Sequence, residues 1–212
     1  MEHKTTTCYG LVKRSLDILL SALGLLVLLI PFVIVALVIY GDDPGPVLFR
    51  QYRVGRGGAL FQLYKFRTMK LDTPCSVATR DMHDPDLYVT RAGRFLRKTS
   101  LDELPQLLNV LRGDMSLVGP RPLIPEETEI HEMRHSRGVY ALRPGLTGLA
   151  QINGRDMVSQ EEKVRYDACY LEHLSLWLDL KILLATVPKV LGGEGVVEGY
   201  QGEELEDPKI PL

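Results

Sequence analysis

Two adjacent carboxylates, Asp102 and Glu103, lie at the start of an amphipathic segment in the stretch KTSLDELP (98–105). An aspartate can attack phosphorus as a nucleophile, and a carboxylate pair can hold Mg²⁺. The same residues also have a structural interpretation, because free backbone N–H groups at a helix start favour anions. Ser100 and Glu103 have the spacing of a capping box, and Asp102 could itself be the N-cap. The pair alone leaves both interpretations open.

Basic residues near this pair favour the functional interpretation. Arg91, Arg94, Arg97 and Lys98 lie immediately upstream, and Arg121 lies between prolines in a Gly-Pro-Arg-Pro turn. A planar guanidinium held by rigid neighbours suits bidentate binding of phosphate. Carboxylates beside fixed arginines therefore indicate a site that binds Mg²⁺ and a diphosphate together.

The elements that must position these residues predict an α+β fold, mainly helical with a small β-hairpin. Residues 46–54 and 60–69 have the composition of two strands around a Gly-rich turn at 55–58. Because side chains alternate along a strand, Lys65 and Arg67 are expected on one face of the second strand.

Helical spacing of leucines begins after Ser100 and is expected to end near Gly113. Residues 118–125 contain three prolines and must be extended, and residues 143–155 are predicted to form a Gly-rich loop. The last part of the chain's final predicted helix carries Trp177 and three charged residues, which is more typical of a core or interfacial helix than of a membrane span. This final helix is predicted over residues 159–191, and another helix is predicted over residues 126–136.

Composition limits the class of protein. The chain has 212 residues and a net charge of −2, which fits one domain with an appendage and gives no reason to expect nucleic acid as a partner. Residues 44–100 nevertheless carry 11 basic and four acidic side chains. Such a region could face anionic headgroups, bind a phosphorylated substrate or simply form a solvated positive surface. The three cysteines are scattered, without metal or disulfide spacing, and indicate a reducing compartment.

An uncharged run extends from Ile18 to Tyr40, long enough for a membrane helix. Basic residues lie on both sides of it, so one straight span cannot satisfy the positive-inside rule at both ends. Pro31 near its middle is expected to break the helix. A helix that turns back within the membrane and a kinked single-pass anchor both fit these features. The predicted regions are a membrane segment over 1–43, a cytoplasmic catalytic domain over 44–191 and a loose acidic tail over 192–212.

In this order, several motifs resemble the monotopic phosphoglycosyl transferases, the bacterial sugar transferase family, in their minimal form. These motifs are the basic pair before the Pro-broken helix, then YKFRTM (64–69), RKTSLDELPQLLNVLRGDMSLVGPRPL (97–123), RPGLTGLAQINGR (143–155) and LDLKI (178–182). The resemblance implies transfer of a phospho-sugar from a UDP-sugar to undecaprenyl phosphate, with release of UMP. It also implies a re-entrant membrane helix broken at Pro31, interfacial amphipathic helices and a location at the cytoplasmic face of the bacterial inner membrane.

The resemblance also assigns roles to residues. Asp102 would be the nucleophile that takes a covalent phospho-sugar and would carry Mg²⁺, and Glu103 would assist deprotonation or metal placement. Arg121 would hold a phosphate. Lys65, Arg97 and Arg155 are further candidates for phosphate or nucleotide binding. The alternatives are a surface or headgroup contact for Arg97 and a solvated strand face for Lys65. The sequence departs from the family pattern at Leu149, where relatives often have Trp, and at Ile30, where a Ser can stand; these departures concern the nucleotide pocket and membrane depth.

Two alternatives remain from the residues alone. Asp84-Pro85-Asp86 could be the metal motif of a glycosyltransferase that releases UDP, although Asp-Pro-Asp is also common in turns. A non-enzymatic membrane protein could use the basic region to bind anionic lipid. These motifs do not specify the sugar, the downstream pathway or the oligomeric state. A homo-oligomer is compatible with them.

Overall fold

The computed structural model describes residues 2–73, 87–154 and 158–192. Helices dominate and the two small sheets have two strands each, which confirms the predicted α+β class. The helices are α1 (Glu2–Val27), α2 (Leu29–Asp42), α3 (Arg91–Lys98), α4 (Leu107–Arg112), α5 (Thr128–Ser136), α6 (Leu149–Ile152), α7 (Gln160–Glu172) and α8 (Leu176–Gly192). The strands are β1 (Leu48–Val54), β2 (Leu60–Phe66), β3 (Ser116–Val118) and β4 (Gly145–Thr147), and a 3-10 segment covers Leu101–Gln106.

The apolar run is divided between α1 and α2, which meet at Leu28 with a bend of 60°. Pro31 lies in the first turn of α2, where the loss of its N–H costs least. In a continuous helix its ring would clash with the carbonyl of Val27, four residues earlier. The helix therefore breaks three residues before the proline. Within the described residues, no single helix is both long and apolar enough to cross a bilayer, whereas the bent pair meets those criteria of length and composition together.

The first half of α1 is hydrogen-bonded to the rest of the protein. The carboxylate of Asp179 in α8 accepts hydrogen bonds from Lys13 and Tyr9 at 2.9 Å each and from Tyr170 at 2.5 Å. Arg14 donates to the main-chain oxygens at the end of α4, where unpaired carbonyls favour a cation. The basic pair before the apolar run therefore makes specific contacts with the folded domain.

Strands β1 and β2 form the predicted antiparallel hairpin, paired from Leu48 with Phe66 to Val54 with Leu60. The prediction that the second strand continues to residue 69 is wrong, because β2 ends at Phe66. Arg67 is buried and forms an ion pair with Asp43 at the end of α2, with Nη1 3.1 Å from the carboxylate. It therefore does not share a strand face with Lys65.

The expected Gly-rich loop over 143–155 contains β4, which pairs in parallel with β3. Glycine is required here because two backbone segments approach closely. A Cβ on Gly145 would lie 2.1 Å from the main-chain nitrogen of Gly119, and a Cβ on Gly148 would lie 2.1 Å from the main-chain oxygen of Gly119. Parallel pairing at such a short strand has no period-two signature, and the sequence did not indicate it.

The prediction of a single helix over 159–191 is also wrong, since α7 ends at Glu172 and α8 begins at Leu176. The hydroxyl of Ser175 accepts a hydrogen bond of 3.1 Å from the N–H of Leu178, which satisfies a free donor at the start of α8. One side of α8 enters the main core through Ile182. Its other side exposes large apolar residues: Trp177, Leu180, Leu184 and Val187.

Candidate active site

The carboxylate pair lies in the 3-10 segment Leu101–Gln106, not in a regular α-helix. Ser100 precedes it in the left-handed conformation, at φ 54°, and its side chain makes no capping hydrogen bond. The capping-box interpretation is therefore wrong, and the carboxylate of Glu103 has another partner. The regular turn of α4 starts at Leu107 and ends as predicted at Gly113, whose φ is 98°.

Asn109 connects α4 to the hairpin. Its side chain is fully buried, donates a 2.7 Å hydrogen bond to the oxygen of Gln62 and accepts one of 3.1 Å from the N–H of Tyr64. A second donation, of 3.2 Å, goes to Asp114. These bonds satisfy the buried amide and fix the segment that carries Asp102 against the strand that carries Lys65.

Asp102 is buried, with 7% of its surface exposed. Burial and the neighbouring charge of Glu103 raise the pKa of Asp102 to about 6, while the positive charges of Lys65, Arg97 and Arg121 oppose this rise. Three of the four cations predicted for this site therefore lie within electrostatic reach of the aspartate. A carboxylate in this environment is ionised at neutral pH and remains more basic than an exposed one, as a nucleophile requires.

Glu103 points to the Gly-Pro-Arg-Pro turn. Its carboxylate accepts a hydrogen bond of 3.0 Å from Nη2 of Arg121. The backbone of the turn is also fixed: Arg134 donates a hydrogen bond of 2.8 Å to the main-chain oxygen of Arg121 and one of 2.6 Å to the carboxylate of Asp167. Arg134 and Asp167 are both almost inaccessible to solvent. Arg121 is therefore positioned through both its side chain and its backbone.

Lys65 and Arg97 approach Asp102 from different elements. Burial lowers the pKa of Lys65 to about 8, and the charge of Asp102 opposes this decrease. The ammonium of Lys65 also lies 5.3 Å from the centroid of the Phe49 ring. Arg97, in α3, donates from Nε to the hydroxyl of Thr68 at 3.0 Å. Strand and helix thus supply separate cations to one site.

A fourth cation, Arg53, was missed by the sequence interpretation. Residues directly opposite in an antiparallel pair share a face, so the pairs Arg53 with Phe61 and Phe49 with Lys65 put both cations on one side of the hairpin. Burial and the positive charge of Arg121 lower the pKa of Arg53 to about 10. The alternation of β1 could have shown this residue, because Arg53 is in phase with Phe49, opposite Lys65.

Some predicted residues cannot be compared with the structure. Arg155 and the Asp84-Pro85-Asp86 motif lie outside the described residues, as does the tail beyond Gly192. Within the described part of the chain, no group of three or more His, Cys, Asp or Glu side chains is arranged to hold a metal ion. The candidate metal donors at the site are thus the two adjacent carboxylates, Asp102 and Glu103.

A comparison with known protein families shows which family the chain belongs to. The model of the family described as "Bacterial sugar transferase" matches residues 8–193, most of the chain and all of the site. The chain belongs to the bacterial sugar transferase family. The family predicted from the motifs is therefore confirmed, and the protein is an enzyme of the sugar transferase class.

Individual relatives of this sugar transferase cover much of its length. A UDP-glucose:undecaprenyl-phosphate glucose-1-phosphate transferase of Caulobacter vibrioides is 48% identical over 189 residues, 84% of this chain and 69% of that protein. The exopolysaccharide production protein ExoY of Rhizobium meliloti is 39% identical over 202 residues, 88% of either chain. An undecaprenyl-phosphate galactose phosphotransferase of Salmonella typhimurium is 40% identical over 201 residues, which are 87% of this chain but 41% of that protein.

Proposed function

We propose that this sugar transferase moves a sugar phosphate from a UDP-sugar to undecaprenyl phosphate, giving undecaprenyl-diphospho-sugar and UMP, in bacterial polysaccharide synthesis. The observation that carries the proposal is the buried Asp102, on which the positive charges of Lys65, Arg97 and Arg121 act. Relatives named for the same reaction with glucose or galactose support it. The sugar is left open, because relatives of similar identity are named for different ones.

The proposed reaction has two steps. In the first, a carboxylate oxygen of Asp102 forms a bond to the phosphorus next to the sugar, and the bond from that phosphorus to the oxygen of UMP breaks. UMP leaves with the electron pair. In the second, a phosphate oxygen of undecaprenyl phosphate attacks the same phosphorus and the bond to Asp102 breaks, which restores the carboxylate. Each step conserves atoms and charge, and no external base is needed because both nucleophiles are anions.

The cations serve to bind and orient the phosphates. Lys65, Arg97 and Arg121 balance the charge of the diphosphate and of the leaving UMP in a site partly shielded from water. Glu103 is fixed by Arg121, which keeps its carboxylate close to Asp102 and sustains the raised pKa of that nucleophile. Arg155 remains a predicted nucleotide-binding residue.

Mg²⁺ suits the donors present. This ion typically binds one or two carboxylates and completes its shell with water and substrate phosphate oxygens, so the Asp102–Glu103 pair is sufficient without a larger cluster. Asp102 would hold the ion, whose charge would offset that of the diphosphate when the UDP-sugar is bound.

The apolar surface supports a membrane location. Exposed apolar side chains cover both arms of the bend between α1 and α2, and α8 exposes a stripe around Trp177. We infer that the bent pair enters one leaflet of the bacterial inner membrane and returns, with α8 at the interface and the site on the cytoplasmic face. Arg14 and Lys13, which are fastened to the catalytic domain, would keep the start of α1 on that face. An anchored site at this depth can reach a lipid phosphate.

The deciding experiment uses detergent-solubilised protein with radiolabelled UDP-sugars, Mg²⁺ and undecaprenyl phosphate, and it separates UMP from UDP. Release of UMP with formation of a lipid-linked product is expected. Release of UDP would instead indicate the glycosyltransferase alternative. Lipid binding without turnover of any UDP-sugar would indicate the non-enzymatic one.

A further inference from the structure

Arg53 and Arg121 are brought together by the backbone. The N–H of Val54, next to Arg53, donates a 3.0 Å hydrogen bond to the oxygen of Leu123, two residues after Arg121. The guanidinium of Arg53 itself donates from Nη1 to the oxygen of Pro122 at 3.4 Å. The end of β1 therefore lies against the Gly-Pro-Arg-Pro turn, and the charge of Arg121 acts on the guanidinium of Arg53.

This arrangement leaves Arg53 with neutral partners. Its two hydrogen bonds within the described residues go to the oxygen of Pro122 and to the side-chain oxygen of Gln51, the latter at 2.7 Å. Its Nε is buried and has no partner in that part of the chain. The Arg53 residue is half-buried. A guanidinium with a buried donor normally binds a carboxylate or phosphate, because desolvation of the charge is otherwise uncompensated.

The charges that act on Arg53 point the same way. The positive charge of Arg121 acts on Arg53 more strongly than any single carboxylate does, and the carboxylates concerned are Glu127, Glu103 and Glu126. Of these, Glu103 is already engaged by Arg121. An anion that lies between the two arginines would remove their repulsion and use the buried Nε of Arg53 as a donor.

We propose that Arg53 is a substrate-binding residue that, together with Arg121, holds one phosphate group of a reactant at the junction of β1 and the Gly-Pro-Arg-Pro turn. The assignment rests on the proposed function for the identity of the reactant. The phosphate belongs either to the diphosphate of the UDP-sugar or to undecaprenyl phosphate. Both present the same chemistry to two guanidinium groups.

The test is binding of inorganic pyrophosphate to the full-length protein in detergent with Mg²⁺, measured by calorimetry. Arg53→Gln is expected to weaken binding by about tenfold to a hundredfold, the effect of losing a charge-assisted hydrogen bond. Arg50→Gln is the matched control and is expected to bind as wild type does, because Arg50 is an exposed arginine on the opposite face of β1. Wild-type affinity in a folded Arg53→Gln protein would overturn the proposal, as would a wild type that does not bind pyrophosphate.

A structural role for Arg53 predicts a different result, namely a lower melting temperature with unchanged affinity. If Arg53→Gln does not fold, Arg53→Lys decides, since it keeps the charge but loses the planar fork. An affinity reduced at least threefold supports phosphate binding, and wild-type affinity contradicts it.

Two kinetic arms identify the source of the phosphate. Release of UMP from UDP-sugar without acceptor reports the donor, and the KM for undecaprenyl phosphate reports the acceptor. If Arg53→Gln slows UMP release, Arg53 binds the donor phosphate. If it raises the KM for undecaprenyl phosphate, Arg53 binds the acceptor phosphate. If it does both, the two phosphates occupy the same position in turn. If wild type releases no UMP but pyrophosphate binding still depends on Arg53, the proposed function fails and this assignment stands.

Discussion

The guanidinium of Arg134 donates a 2.8 Å hydrogen bond to the main-chain oxygen of Arg121, so a buried side chain in α5 supports the turn that carries a site arginine. Asp167 in α7 holds Arg134 in place at 2.6 Å. Burial raises the pKa of Asp167, and the charge of Arg134 opposes that rise. Fold stability and the position of Arg121 are therefore linked through one ion pair.

Removal of one member of this pair should be costly. Arg134→Met leaves the carboxylate of Asp167 buried without its hydrogen-bonded cation, and we expect a loss of about 3–5 kcal/mol in the free energy of unfolding. Urea unfolding monitored by circular dichroism measures this. The exposed Arg137, near the end of the same helix, supplies the control Arg137→Met, for which a change within about 0.5 kcal/mol is expected.

The double variant Arg134→Met/Asp167→Leu separates stability from positioning. An apolar pair of similar volume should restore much of the stability, because a buried ion pair contributes little beyond its apolar replacement. The turn would still lack the donor to the oxygen of Arg121, so kcat/KM for UMP release should stay at least tenfold below wild type. Full activity in a stable double variant would show that Arg134 acts only on stability.

Asp102→Asn should abolish the first step, because an amide is a poor nucleophile towards phosphorus. We expect the rate of UMP release to fall by about 10³-fold or more. In wild type, intact-protein mass spectrometry after incubation with UDP-sugar alone should detect an added sugar phosphate, and this species should be absent from the variant. The control is Asp72→Asn, which changes an exposed aspartate. Substantial turnover by Asp102→Asn would contradict the covalent mechanism.

The sequence was informative where local chemistry determines the structure. The hairpin follows from alternating residues around a Gly-rich turn, and Gly113 ends α4 because it adopts a left-handed conformation. Arg121 could be predicted because prolines fix its neighbours. Arg134 could not, because it lies on a helix with a polar, surface-like sequence, and its partners in the fold, Asp167 and the main-chain oxygen of Arg121, are distant from it in sequence.

Long-range contacts account for the other errors. Arg67 leaves the strand pattern because Asp43, distant in sequence, is its partner. The Ser100–Glu103 box does not form: Ser100 adopts the left-handed conformation, which differs from that of an N-cap, and the carboxylate of Glu103 binds Arg121 instead. Arg53 was overlooked because its significance depends on the register of β1 against β2 and on the turn beside it. Such contacts have no signature in local composition.

The re-entrant arrangement predicts that both ends of the bent pair lie on the cytoplasmic side. The exposed native Cys8 reports one end, and Pro46→Cys in a protein with its other cysteines replaced reports the second. A membrane-impermeant maleimide should label each thiol in inverted membrane vesicles and neither in intact spheroplasts. A Leu29→Cys control at the bend should resist labelling in both preparations. Labelling of the two ends from opposite sides would indicate a single-pass anchor instead.

The lowered pKa of Lys65 predicts the alkaline limb of the pH profile. Burial brings this pKa to about 8, so the ammonium is present below that pH and is lost above it. Since the charged form binds phosphate, kcat/KM for UDP-sugar should decline above pH about 8, by up to tenfold per pH unit. Lys65→Arg keeps the charge throughout this range and should move the decline to higher pH, even if its activity at pH 7 is lower. Stopped-flow measurement of UMP release between pH 6.5 and 10 provides the comparison, and an identical alkaline limb in both proteins would assign it to another group.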